Sequence, residues 1–99
     1  MNPYEQFQTE DRRLTLLLIL SQSEGYRCNE FLLQTLLDQR GHMVSLDRLR
    51  ADAGWLEEQG LVTGTEIAGT GIVELTARGF DVADGRAAVP GIKRRRPGT

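Results

Sequence analysis

SLDRLRADAGWLEEQGLVTGTEIAGTGIVELTARG, residues 45–79, is the stretch that decides the fold. Ser45 is an N-cap residue, whose side-chain oxygen can take up a free backbone N–H of a first helical turn. Leu46, Leu49, Ala53 and Leu56 follow at spacings of three, four and three, which puts them on one helical face. Gly60 supplies the left-handed backbone that ends such a helix, expected over about Ser45 to Gln59. Leu61-Val62-Thr63 and Ile72-Val73-Glu74-Leu75 are β-prone and flank a turn at Ala68-Gly69-Thr70-Gly71. Strands are therefore expected at about 61–66 and 72–75. Thr76 then caps a further helix that reaches about Asp84, weakened by Gly79.

Upstream, Asn29 caps a helix carrying Phe31, Leu32, Leu33, Leu36 and Leu37, and Gly41 stops it. His42-Met43-Val44 forms the turn that leads into Ser45. An earlier helix is expected from near Thr9, where Glu10 and Asp11 suit the positive end of its dipole, to about Ser21. Residues 1–8 read as an extended arm or the first turn of that helix. Beyond Gly85 the chain holds Pro90, Gly91, Pro97 and Gly98 among clustered charge, which predicts a mobile basic tail. Two parts follow: a domain over 1–86 and a tail over 87–99. Three helices, two strands and a fourth helix make a mainly α chain with a small β-hairpin (α+β). That is the order of a winged helix-turn-helix, a module whose usual task is reading duplex DNA.

Ninety-nine residues allow one small domain and little room for a deep catalytic cleft. No Ser/His/Asp arrangement and no Gly-rich loop before a Lys-Ser/Thr pair is present, so an enzyme is not expected. Cys28 and His42 each stand alone, which excludes an intrachain disulfide and any zinc spacing, and no cofactor or metal is implied. The longest apolar run, Leu16 to Leu20, is far short of the about 20 residues of a membrane span. No signal peptide is recognisable at the N-terminus, and a cytoplasmic protein is expected. The net charge of −2 is unevenly spread: residues 1–85 carry −7 and residues 86–99 carry +5. An acidic body is unusual in a strong DNA binder, whose affinity comes largely from neutralising phosphates.

On the helix that starts at Ser45, the face opposite Leu49 and Ala53 presents Asp47, Arg48, Ala51 and Trp55, flanked by Arg50 and Asp52. Ser45, Asp47, Arg48 and Arg50 are the candidate base-contacting residues, since arginine can bond guanine through two parallel N–H groups. A solvated face with an Arg48–Asp52 pair is the plainer alternative. Arg40, His42, Thr70 and the tail cations Lys93, Arg94, Arg95 and Arg96 are candidate phosphate contacts. The wing brings Glu66 and no Lys or Arg between Thr63 and Val73, which weakens the case for double-stranded DNA. Trp55, together with Leu16 and Ile19 of a first helix that is apolar almost all round, is a candidate interface, and a homodimer is expected. Packing inside the chain is the alternative for all three.

The run WLEEQGLV at 55–62 followed by LTARG at 75–79 resembles the end of the recognition helix and the opening of the next helix in bacterial winged-helix regulators. NPYEQFQTEDRRL at 2–14, GYRCNE at 25–30 and PGIKR at 90–94 extend the likeness. Over nearly its whole length the chain is similar to small winged-helix proteins of Mu-like bacteriophages and prophages. The resemblance implies a phage or prophage DNA-binding protein that regulates transcription. Metal-sensing relatives use paired Cys or His ligands that this chain lacks. The acidic body, the cation-free wing and an outward Trp55 favour an alternative, a winged-helix adaptor or inhibitor that holds a host or phage protein.

Overall fold

Four capping side chains open the four helices, and each bonds the backbone N–H three residues on. Asn2 Oδ1 accepts from Glu5 at 2.8 Å and Asn29 Oδ1 from Leu32 at 2.8 Å. Ser45 Oγ accepts from Arg48 at 3.1 Å and Thr76 Oγ1 from Gly79 at 3.0 Å. In the computed structural model, which describes residues 1–95, the helices are α1 (Pro3–Ser21), α2 (Glu30–Gln39), α3 (Leu46–Glu58) and α4 (Ala77–Ala83). α1 therefore starts six residues before Thr9. The cap at Asn2 and a proline at the first helical position, where a missing N–H costs nothing, turn the expected arm into helix.

Three strands complete the fold: β1 (Arg27–Asn29), β2 (Val62–Ile67) and β3 (Thr70–Leu75). They form one antiparallel sheet in the order β1-β3-β2, with Cys28 opposite Val73 and Val62 opposite Leu75. The hairpin is tighter than the sequence suggests. Ile67 pairs with Thr70, so the turn is the two residues Ala68 and Gly69, with φ of 52° and 80°. Positive φ at both central positions matches the twist of the flanking strands. β1 was not expected, and it joins the segment ahead of α2 to the wing. A helix, a strand, a helix pair and a hairpin on a shared sheet make this α+β chain a small winged helix.

α1 is the central element. It packs against α2, α4 and β3, and Leu16, Leu17, Ile19 and Leu20 are all at most 2% exposed. Its all-round apolar character is thus answered within the chain, and Leu16 and Ile19 are core, not an interface. Leu33, Leu37, Leu49, Leu56, Leu61 and Val62 fill the other side of the same core. Nor does the chain leave the body at residue 87. Val89 and Ile92 are buried, the Lys93 N–H donates to the Glu10 carbonyl at 3.1 Å, and Arg13 donates to the Gly91 carbonyl at 2.9 Å. Residues 87–95 form a strap laid against α1; the remainder of the expected tail lies outside the described residues.

Candidate nucleic-acid interface

The Ser45 cap sets the first turn of α3 at the surface, directly after the turn from α2. Asp47 and Arg48 are exposed there, and Arg48 makes no side-chain hydrogen bond or ion pair among the described residues. It faces the N-terminal half of α1, beside Glu5, Gln8 and Thr9. Arg50, the second candidate base reader, is occupied. Its Nε and Nη2 donate to the two carboxylate oxygens of buried Glu30 at 3.0 and 2.7 Å. The hydrogen bond from Arg50, ahead of its charge, holds the Glu30 carboxyl below the ordinary carboxylate value, and the same contact pushes the Arg50 guanidinium up. Sequence spacing could not show this, because the two residues are 20 positions apart.

Asp52 is also placed differently from expectation. It is 3% exposed and accepts from Arg12 of α1, through Arg12 Nε and, at 3.2 Å, Nη2. No Arg48–Asp52 pair forms. Trp55 is covered by its own chain: the Arg13 guanidinium lies 3.8 Å from the ring centroid, and a Cβ on Gly91 would come within 2.9 Å of the ring. Its size is absorbed by the strap, so it does not stand out as an interface. After Asp47 the outward stripe of α3 is Ala51, Gly54 and Glu58, all exposed. Glu57 accepts from the Gly64 N–H at 2.9 Å and ties the wing to α3. Thr70, half-buried at the start of β3, is the wing's candidate phosphate contact, and Glu66 on β2 opposes it with negative charge.

A second group of candidates meets on the other side of α1. Arg40, His42, Lys93 and Arg94 border a cleft of about 650 Å³ together with Tyr4, Phe7 and Gln8. Gln8 borders the Arg48 hollow as well, so the two cationic areas adjoin across the first turns of α1. Asp11 anchors the cleft: it meets His42 Nε2 at 2.7 Å and Lys93 Nζ at 3.3 Å. Burial pushes the Asp11 carboxyl up, but the hydrogen bonds to His42 and Lys93 and the charge of Lys93 outweigh it and leave the pKa lowered. Arg40 bonds the neutral amide oxygen of Gln22 at 2.7 Å, so its charge is not neutralised there. Arg95 donates to the Ala83 carbonyl at 3.2 Å, which turns it toward α4. Arg96 lies outside the described residues.

The chain is similar to the uncharacterized protein gp26 of Escherichia phage Mu, with 51% identity over 89 residues that span 90% of this chain and 92% of the phage protein. It belongs to the family of Mu gp26. An uncharacterized protein of Haemophilus influenzae (strain KW20/Rd) is 43% identical over 60 residues, 61% of this chain and 58% of that one. No family model and no solved structure matches. The expected kinship with proteins of Mu-like phages is therefore shown. The winged-helix name of this gp26-family member rests on its own topology. No helix among the described residues is long and apolar enough to cross a membrane.

Proposed function

We propose that this gp26-family protein binds duplex DNA through its helix-turn-helix and regulates transcription in the cytoplasm of the bacterial host. The observation that carries the reading is the placement of Arg48 at the exposed first turn of α3, across the first turns of α1 from the cleft of Arg40, Lys93 and Arg94. Winged helices put that turn into the major groove, so Arg48 is the base reader, while Arg40 and Arg94 meet flanking phosphates. Arg50 does not read bases while Glu30 holds it. One free arginine on α3, a wing without cations and an acidic body make this a weak, salt-sensitive binder. Its effect at a promoter is occlusion or recruitment.

Selection from a random duplex pool, followed by salt titration of the winner, tests the proposal. Arg48→Ala should cost the selected site roughly 1–3 kcal/mol relative to unselected duplex. Arg94→Ala should weaken all duplexes alike and reduce the salt slope by roughly one. No enrichment at low salt sinks the proposal.

One observation favours a second reading. The stripe of Asp47, Ala51, Gly54 and Glu58, with Glu57 and Glu66 beside it, repels a phosphate backbone and suits a protein partner. As an adaptor, the protein would keep its partner as salt rises, whereas phosphate-driven binding falls steeply.

A further inference from the structure

The first two turns of α1 carry aromatic rings in water. Tyr4 and Phe7 are 68% and 72% exposed and lie three residues apart, on neighbouring positions of one helix face. The Asn2 cap holds these turns helical, and the Gln8 amide donates to the Tyr4 hydroxyl oxygen at 2.9 Å, which fixes the tilt of that ring. Both rings border the cleft of about 650 Å³, a size suited to a small ligand or to part of a chain. Arg40 and Arg94 stand on the same cleft. Of its two carboxylates, Asp11 is engaged by His42 and Lys93, whereas Glu10 accepts only from the neutral Gln6 amide at 2.9 Å and keeps its charge. What remains on offer is flat π faces next to two guanidinium groups, which outnumber the one uncancelled carboxylate of Glu10.

We infer that this cleft binds single-stranded DNA, with bases stacked on Tyr4 and Phe7 and phosphates on Arg40 and Arg94. A paired duplex shows only base edges in its grooves, so ring faces of this kind serve unpaired bases. The complementarity is of two kinds at once, π face to base and cation to phosphate, which an apolar peptide would leave half unused. The site shares Arg40 and Arg94 with the duplex reading but uses no residue of α3, so either can fail alone.

Fluorescence anisotropy on the full chain at low salt decides the matter, with a labelled oligothymidine of about eight nucleotides and a duplex of the same length. Tyr4→Ala and Phe7→Ala should each weaken the single strand by roughly 5- to 150-fold and leave the duplex unchanged, as loss of one stacked base does. Phe7→Leu, apolar and helix-compatible, should lose as much as alanine, and Phe7→Tyr should retain binding. Arg48→Ala should show the reverse pattern, with the duplex weakened and the strand unaffected. Three results overturn the inference: no strand binding, equal losses on strand and duplex from the ring variants, or displacement by oligoglutamate as effective as by unlabelled oligothymidine. Strand binding without duplex binding would instead overturn only the α3 reading.

Discussion

Glu30 is 6% exposed and keeps its negative charge because Arg50 closes on both of its oxygens. It also reaches the wing, since the Gly71 backbone donates to it and a Cβ on Gly71 would fall 2.6 Å from Glu30 Oε2. One carboxylate therefore joins α2, α3 and β3. The carboxyls of Glu30 and Asp11 are both held below their ordinary values of 4.5 and 3.8. A depressed carboxylate adds stability that is fully present above the unfolded value and is lost as pH falls through the lower folded one. The fold should accordingly hold its melting temperature near neutrality and lose it below about pH 4. Glu30→Gln should lower the neutral melting temperature and flatten that acid limb, and it should strengthen duplex binding by releasing the charge of Arg50. Unchanged acid melting in this variant would show that the pair contributes nothing to the pH dependence.

At the scale of elements, the sequence declares what is local. Asn29, Ser45 and Thr76 cap the helices that their positions announce, and α3 ends at Glu58, with Gly60 in the left-handed conformation just past its C-cap Gln59. Asn2 was equally legible as a cap, with Pro3 suited to the first helical position behind it, although residues 1–8 read as an arm or a first turn. β1 was not legible: three residues give no alternation, and Asn29 also serves as a cap. Arg50–Glu30 and Arg12–Asp52 escaped because ion pairs between helices have no spacing rule. Gly79 was read as a weakness in α4, yet it is what lets α4 approach. A Cβ there would stand 2.0 Å from the Leu61 carbonyl oxygen, which already accepts from the Thr76 N–H at 3.1 Å. Alanine gains about 1 kcal/mol of helix propensity over glycine, whereas forced overpacking costs typically 1–3 kcal/mol and more where backbone must move. The clash wins. Gly79→Ala should lower the denaturant midpoint; a rise would mean that α4 does not sit on the Leu61 segment.

For the whole molecule, the charge balance and the strap have to be considered together. The last fourteen residues carry +5 against a body of −7, which suggests a free polycation. Within residues 87–95, apolar side chains override that suggestion. Val89 and Ile92 are 7% and 6% exposed, Gly91 lies on Trp55, and Lys93 is drawn to Asp11. Lys93 and Arg94 are thus delivered to a fixed place beside α1. Burying a Val or Ile side chain stabilises a fold by about 1.5–3 kcal/mol, so losing both costs about 3–6 kcal/mol, a large part of the roughly 5–15 kcal/mol of a typical domain. A chain ending at Arg86 should therefore melt well below the full chain, by at least about 12 °C for a domain of this size. Ile92→Asp in the full chain should reproduce part of that fall while keeping every cation, which separates lost packing from lost charge. If both proteins melt with the full chain, residues 87–95 are not part of the folded unit, and the cationic wall of the cleft dissolves with them.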